Sequence, residues 1–298
     1  MPMARQIVDA PRFTPLPYGL LSVVQTPPTP DHWMGGVIYR TDCKSAIVTG
    51  GSTYDECIVV SGSGGAPPPP PTKLDNLEQR DRAATPFTVY AKFDCSPVGN
   101  EDALKKAQDA LLRVEPWEVE RAFWTGLSAN RSVVFPHLAH GFGASEIIDP
   151  NSGALLQSVV VTGGGAFKPA RALGALEGLL GDCYNGVGVV HIPQYALENF
   201  FSAGAPIIRV GGQLQTQLGN LVAVGSGYPG TAPNGAPAAA GTAWIYGTGA
   251  VFMYRSAVRA PSVIESFNRA ENTIELIAER TYVLGFECCH VGVLVDLT

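Results

Sequence analysis

The sequence contains little charge. Only 15% of its 298 residues are Asp, Glu, Lys or Arg, whereas about 25% is usual for soluble domains. Charged residues are depleted at the centres of protein interfaces, so this composition favours a chain whose surface is partly covered by other subunits. The alternative explanation of the low charge is a glycine- and proline-rich β protein in which small side chains are common. Apolar residues make up 46% of the chain, which excludes wholesale disorder.

The sequence also lacks a basic tract and a long apolar run. Its net charge is −6, which argues against a groove that binds nucleic-acid phosphates specifically and leaves room only for weak contact with nucleic acid. No stretch of 18 apolar residues could cross a membrane, and prolines at positions 2, 11, 15 and 17 interrupt any N-terminal signal or membrane helix. We therefore expect no membrane association, and synthesis in the cytoplasm, where the six cysteines stay free thiols.

No complete catalytic or metal-binding motif is present. His137 and His140 are three residues apart, but no HExxH or other zinc signature accompanies them, and there is no P-loop and no GxSxG nucleophile turn. Cys288, Cys289 and His290 are adjacent, yet neighbouring residues of a strand point to opposite faces and cannot share one metal ion. We expect both cysteines to pack on opposite faces of a final strand. The sequence predicts no catalytic residue, no metal and no cofactor.

One segment imitates a nucleotide-binding turn. In "VVVTGGGAFKPARALGALEGLL" a strand, glycines and a helix follow in the Rossmann order. Gly163 and Gly165 fit the first two glycines of G-x-G-x-x-G, but Lys168 occupies the third position. Asp182 has the distance expected of the ribose-binding acid, but it follows a helix rather than a second strand. A cytosolic α/β enzyme that binds a nucleotide at residues 163–165 stays an alternative.

The first third of the chain is extended and strand-forming. Residues 1–35 are rich in proline, as expected of an arm that lies along another surface. "GGVIYRT", "SAIVTGG" and "ECIVVSG" are short β-branched runs between turn residues. "SGSGGAPPPPP" is a flexible piece followed by a stiff polyproline piece, and a charged stretch leads from it to the strand "PFTVYAKFDC". Residues 36–95 therefore form a long excursion of strands with an exposed, charged middle.

A long helix follows. In "SPVGNEDALKKAQDALLRVEPWEVERAFWTG" apolar residues recur at helical spacing, and Asn100 is a suitable N-cap. The helix spans about 25 residues, or roughly 40 Å. Pro116 removes one backbone hydrogen bond, so we expect it to kink the helix or divide it. Trp117 and Trp124 are expected to anchor the helix on its sheet.

The second half mixes helices and strands. "KPARALGALEGLLGDC" and "QYALENFFSAG" have helical patterns, and the former carries a proline near its first turn. "NGVGVVHIP" is typical of a buried strand. "PIIRVGGQLQT", "GNLVAVGSGYPG" and "WIYGTGAVFMYRS" are strand-forming segments separated by glycine turns.

The order of these segments resembles a known family. "FDCSPVG" leads into the long helix that ends "VERAFWTG". "ALGALEGLLGDCYNGVGVVHIPQYALENFF" then precedes "LQTQLGNLVAVGSGYPGTAP", and "GTGAVFMYRSAV" precedes "NRAENTIELIAERTYVLGFECCHVGVLVDL". Over residues 85–298 this order resembles the major capsid proteins of tailed bacteriophages, particularly those of actinobacterial phages, and the related encapsulin shells. The resemblance implies an α+β fold of the Hong Kong 97 type.

The resemblance also implies a division of the chain. Residues 1–35 would be an N-terminal arm and residues 36–92 an extended loop with its flanking strands. Residues 93–165 and 250–298 would form a peripheral domain with the long spine helix. Residues 166–249 would form an axial domain at the centres of hexamers and pentamers.

The implied function is structural. The chain would be the non-enzymatic major capsid protein that self-assembles into the icosahedral head around the double-stranded DNA genome of a tailed phage. Its partners would be copies of itself in hexamers and pentamers, separate scaffold, portal or decoration proteins, and packaged DNA through non-specific contact. An encapsulin-like compartment and another virion component, such as a tail or decoration protein, are alternatives of the same class.

The residues expected at subunit contacts lie in the arm and the loop. Trp33 and its neighbours in the arm should clamp an adjacent subunit. Salt-sensitive contacts across subunits are expected of five charged residues in the loop: Lys73, Glu78, Arg80, Asp81 and Arg82.

Overall fold

The fold was analysed in a computed structural model. It describes residues 13–41, 80–95, 102–127, 134–139, 147–148, 155–157, 160–161, 165–260, 267–268, 270–287 and 289–298.

Three α-helices lie in these ranges: α1 (Ala103–Thr125), α2 (Pro169–Cys183) and α3 (Leu197–Ser202). The long helix expected from the sequence is confirmed as α1, which begins after Asp102 and ends at Gly126, a residue with the left-handed conformation that glycine adopts easily. Pro116 lies inside α1 without dividing it, so that part of the expectation is wrong. The carbonyl of Leu112, which loses its partner to this proline, lies on an exposed turn where water can reach it. No described helix has the length and apolar character to span a bilayer.

The described strands are β1 (Val37–Thr41), β2 (Arg80–Ala84), β3 (Pro86–Cys95), β4 (Ile147–Ile148), β5 (Leu155–Gln157), β6 (Val160–Val161), β7 (Val189–Pro193), β8 (Ile207–Val210), β9 (Gln213–Thr216), β10 (Leu221–Gly225), β11 (Thr242–Thr248), β12 (Val251–Arg255), β13 (Phe267–Asn268), β14 (Thr273–Phe286) and β15 (His290–Asp296). They form three sheets. The largest has seven strands in the order β6-β15-β11-β7-β10-β9-β8, and a second has the order β1-β2-β5-β4. In the third, β14 pairs with β12 and β13 on one edge and with β3 on the other.

The seven-stranded sheet is covered on both faces around β7. All five residues of β7 are buried, as its β-branched sequence predicts. Val190 and Ile192 pack with the fully buried leucines of α2, whereas His191 faces α1 and contacts Phe123 with ring centroids 5.3 Å apart. Because successive residues of a strand alternate between faces, β7 joins the two largest hydrophobic clusters of the described residues.

The third sheet is built around β14, and we call it the β14 sheet. β14 is 14 residues long and pairs with β3 at ten successive positions. α1 packs across these two strands through the apolar stripe that the sequence predicts, which includes Ala107, Leu111 and Phe123. Arg280 of β14 also forms an ion pair of 2.6 Å with Glu115 of α1, and both side chains are largely buried.

The end of the chain differs from the expectation. A single final strand was predicted through Cys288 and Cys289, but β14 ends at Phe286 and β15 begins at His290. The chain passes from the β14 sheet to the seven-stranded sheet between them, so strand alternation does not govern this stretch. Cys289 forms a disulfide with Cys183, the last residue of α2. The expectation of free thiols is therefore wrong for this pair, whereas Cys95 is free and Cys288 lies outside the described residues.

Candidate subunit contact surfaces

The structure places two of the predicted contact residues inside their own chain. Trp33 is 7% exposed and packs beside Tyr254, with ring centroids 6.1 Å apart. Arg82 is also 7% exposed, and its guanidinium lies over the ring of Phe286 at 5.8 Å. Arg80 and Asp81 lie in β2 and pair with β1, and Lys73 and Glu78 lie outside the described residues. The role of these six residues between subunits stays a prediction.

The described part of the arm is bound along its own subunit. The carbonyl of Tyr18 accepts a hydrogen bond from the backbone N–H of Val224 in β10 at 2.7 Å. Gln25 exchanges backbone hydrogen bonds with Val251 and Met253 of β12, each of 2.8 Å. The arm therefore links the seven-stranded sheet to the β14 sheet before any contact with a neighbour.

A buried carboxylate holds the arm to α1. Glu120 is 2% exposed and accepts hydrogen bonds from the backbone N–H groups of Leu20 at 3.1 Å and Gly227 at 3.0 Å. The hydroxyl of Ser226 lies 3.4 Å from the same carboxylate. Burial raises the pKa of Glu120, and these hydrogen bonds oppose the rise only in part. A side chain at Gly227 would collide with the carbonyl oxygen of Trp117, so the turn approaches α1 as closely as only glycine allows.

The two tryptophans of α1 have different surroundings. Trp124 is fully buried against Tyr228 and Tyr246, and its indole N–H donates to the hydroxyl of Thr231 at 2.9 Å. It anchors the helix as expected. Trp117 is 40% exposed and is stacked by the guanidinium of Arg121 at 5.1 Å, so its expected anchoring role is wrong.

Two buried histidines pack against neighbouring side chains and backbone. His191 lies between the hydroxyls of Tyr228, at 3.2 Å, and Thr248, at 3.0 Å. Burial lowers the pKa of His191 to about 3, so the imidazole is neutral near pH 7. His137 packs beneath Gly126 at the end of α1. Within the described ranges, no group of three or more His, Cys, Asp or Glu side chains could hold a metal ion.

The described residues beside the glycine turn are Gly165 and the start of α2. Gly163 lies outside the described residues, and Gly165 stands in open space. Lys168, at the start of α2, forms an ion pair of 2.9 Å with Asp296 and donates a hydrogen bond of 2.6 Å to the backbone oxygen of Thr298. Hydrogen bonds from Thr298 and Lys168 hold the pKa of Asp296 well below its usual range. Lys168, which could meet a phosphate at the start of this helix, is thus paired within the chain.

Exposed apolar side chains lie along the edge strand β8 of the seven-stranded sheet and in the loops before β7 and before β10. Leu218 is 72% exposed, Val187 is 58% exposed, and Ile208 and Val210 of the edge strand β8 are each 45% exposed. We call these four residues the apolar end. Two hydrogen bonds of 2.9 Å between residues 188 and 220–221 join the loop of Val187 to the turn of Leu218. The sequence predicted strands here but gave no sign that their ends expose apolar surface.

Comparison with known proteins identifies the fold. No protein-family model matches this sequence, and a search of the curated proteins finds no match either. Among solved structures, the capsid of an empty GTA particle matches with a TM-score of 0.57 over 98% of this chain and 95% of its own, at 11% identity. A structure from Microbacterium phage Oxtober96 matches with a TM-score of 0.54 over 99% and 96%, at 12% identity.

A third match is the holo-SrpI encapsulin complex from Synechococcus elongatus PCC 7942. Its TM-score is 0.51 over 99% of this chain and 94% of its own, at 14% identity. At such identities the similarity concerns the fold and not the individual residues. The matches nevertheless run along nearly the whole of each chain, from the arm to β15. The chain therefore has the α+β fold of the Hong Kong 97 type, as its sequence predicted.

Proposed function

We propose that this chain is the major capsid subunit of a tailed phage, which self-assembles into the icosahedral head around double-stranded DNA. The observation that carries the proposal is the match with the GTA capsid over 98% of this chain and 95% of the other. A fold by itself hosts many functions. Here the similarity runs along nearly the whole chain and includes the arm and both large sheets.

The apolar end supports the proposal. Burial of exposed leucine and valine side chains by a partner stabilises the assembly by about 25 cal/mol for each Å² of apolar surface removed from water. A shell subunit meets its neighbours through different patches on its two sides, and the contacts close into a ring. Such a subunit has apolar surface that stays exposed while the chain is alone. The low charge of the sequence has the same explanation.

The finer features belong to the same proposal. These are the division into arm, loop, peripheral domain and axial domain, the contacts of the six predicted residues, and the separate scaffold, portal or decoration proteins. Cytoplasmic synthesis in a bacterial host and weak contact with packaged DNA are part of it as well. An acidic subunit, with a net charge of −6, would let DNA move freely along the inner wall because like charges repel.

An encapsulin-like compartment is the second candidate, favoured by the match with the SrpI encapsulin complex. The two candidates share the shell and differ in its contents. A phage head encloses DNA, whereas an encapsulin-like shell would enclose an enzyme. The genes next to this one, terminase and portal genes or a cargo enzyme, separate the two.

The proposal is tested by whether the chain forms shells and by what the shells enclose. The full chain is expressed alone and with its neighbouring genes, and the products are examined by light scattering and negative-stain electron microscopy. We expect closed shells, and DNA that resists nuclease in particles made with the neighbouring genes. Shells that instead protect one co-purifying enzyme would favour the compartment. A stable monomer or dimer that binds NAD or ATP tightly, with binding lost in Gly165→Asp, would refute both candidates in favour of the enzyme.

A further inference from the structure

The two large sheets are joined by two neighbouring passages of the chain. β11 of the seven-stranded sheet continues through Gly249 and Ala250 into β12 of the β14 sheet. β14 returns through residues 287–289 into β15. The passages bind each other, because Gly249 N–H donates to the carbonyl of Cys289 at 3.2 Å and Glu287 N–H donates to that of Ala250 at 2.8 Å. Any change in the angle between the sheets must bend this pair of passages, which we call the junction.

The end of α2 is fixed to the junction at two points. The hydroxyl of Tyr184 donates a hydrogen bond of 2.9 Å to the carboxylate of Glu287. Next to it, Cys183 is joined to Cys289, with Cα atoms 5.8 Å apart, which is an ordinary separation for a disulfide. A side chain at Gly249 would collide with the carbonyl of Glu287, so the passages also lie in close contact. α2 belongs to the cluster of the seven-stranded sheet, and both bonds therefore tie that sheet to the return passage.

We propose that Cys183 and Cys289 form a thiol–disulfide site that sets the stiffness of the junction between the two sheets. In the oxidised form a covalent bond fixes the return passage to α2. In the reduced form the hydrogen bond between Tyr184 and Glu287 is the direct side-chain link that remains. The inference rests on the geometry of the junction and holds whether or not the chain builds a phage head.

The exposure of the two cysteines gives the order of the chemical steps. Cys183 is half-buried, whereas Cys289 is 1% exposed. The oxidant in this proposal is a low-molecular-weight disulfide such as oxidised glutathione, which can reach the half-buried Cys183. The Cys183 thiolate attacks one sulfur of it, an S–S bond forms, and one small thiol leaves. The Cys289 thiolate then attacks the Cys183 sulfur and displaces the second small thiol, so two protein thiols are oxidised and one small disulfide is reduced to two thiols. Each proton lost by a protein thiol ends on a departing small thiolate.

Hydrogen–deuterium exchange of the full chain tests the site. The protein is compared after treatment with oxidised glutathione and after treatment with a reductant. We expect the amides of Gly249 and Glu287 to exchange several-fold faster in the reduced protein, because local opening of the junction needs less free energy. Amides of β7, in the centre of the sheet, should change little. Equal exchange at the junction in both redox states would overturn the proposal.

Variants separate the site from general effects of oxidation. In Cys183→Ser, which changes the half-buried position, the junction amides should exchange at the rate of the reduced wild type under both treatments. In Cys95→Ser, the difference in exchange between the oxidised and the reduced protein should equal that of the wild type. Tyr184→Phe should speed exchange at the junction mainly in the reduced protein, since the disulfide compensates for the lost hydrogen bond. Differential alkylation with tandem mass spectrometry assigns the oxidised thiols. Cys183 and Cys289 still open to alkylation after oxidation would refute the site even if Cys183→Ser failed to fold.

Discussion

The seven-stranded sheet and the β14 sheet present different chemistry to the solvent. The apolar end of the first exposes Val187, Ile208, Val210 and Leu218. On the second, Lys92 lies 3.3 Å from Asp94 and 3.2 Å from Glu275, all on the exposed side of β3 and β14. Water solvates the charges well, so exposed ion pairs contribute little and need no partner. Apolar side chains, in contrast, lower the free energy when a partner removes them from water. In the proposed shell we therefore expect the exposed apolar residues of the seven-stranded sheet, rather than the charged side of the β14 sheet, to meet a neighbouring subunit.

The largest effect is expected from a charge at the apolar end. Leu218→Asp removes a side chain whose burial is worth about 1.5–3 kcal/mol and places a carboxylate that resists desolvation. We expect the concentration at which shells form to rise at least about tenfold, measured by light scattering over a dilution series. Thermal unfolding of the unassembled chain should stay unchanged, because Leu218 is 72% exposed.

Asn234→Asp is the matched control for this variant. It adds the same charge at an exposed polar residue and keeps the side-chain oxygen that accepts from the N–H of Ala236. If shells form equally well with Leu218→Asp and Asn234→Asp, the apolar end is not a contact between subunits.

The second effect concerns stability and uses the two tryptophans of α1. Trp124→Ala removes a fully buried ring and should lower the free energy of unfolding by about 3–5 kcal/mol. Trp117→Ala removes a half-exposed ring and its contact with Arg121, so we expect a loss of about 1 kcal/mol or less. Urea unfolding in the Leu218→Asp background measures both without interference from assembly. Similar losses in the free energy of unfolding for the two variants would contradict the different burial of Trp117 and Trp124 within one chain.

The third effect is a pH dependence from Glu120. Burial raises the pKa of this carboxyl above its ordinary value of 4.5, so the folded chain binds more protons than the unfolded chain between that value and the raised one. The contribution of Glu120 to stability is therefore complete below about pH 4.5 and is lost as the pH rises through the folded pKa. Glu120→Gln should flatten this slope. Subtracting the two stability profiles cancels carboxyls whose pKa is lowered, such as Asp296, and a difference that does not vary with pH would contradict the assignment.

The smallest effect is expected on the charged side of the β14 sheet. Lys92→Gln removes both exposed ion pairs of this residue. Shell formation and thermal unfolding should match the wild type within error, at low and at high salt. A loss of assembly as large as that of Leu218→Asp would place the subunit contact on the β14 sheet instead.

Much of the fold could be predicted because it depends on local pattern. The helical spacing of apolar residues gave α1 and α2, and the β-branched run of β7 gave a buried strand. Pro116 shows the limit of such rules. Its cost depends on whether the freed carbonyl can reach water, and the exposed position of Leu112 decides that. The order of the segments then predicted the Hong Kong 97-type fold, which the structural matches confirm.

The contacts were harder to predict because their partners are far apart in the sequence. Cys183 and Cys289 are separated by 106 positions, and only the return of the chain between the two sheets brings them together. The partners of Glu120 are backbone groups of residues 20 and 227, which leave no mark in composition or spacing. Trp33 was expected to clamp an adjacent subunit, and that role stays a prediction. It is buried because the arm lies along its own subunit.

Electron cryomicroscopy of purified particles tests the central claim most directly. In a reconstruction that resolves side chains, we expect a closed shell in which Leu218 and Val187 lie within about 4 Å of apolar atoms of another copy of the chain. The charged side of Lys92 should face solvent. A shell whose copies meet elsewhere and leave the apolar end in water would contradict the account of the contact surface. A full chain that stays monomeric at every concentration, with and without its neighbouring gene products, would contradict the shell itself.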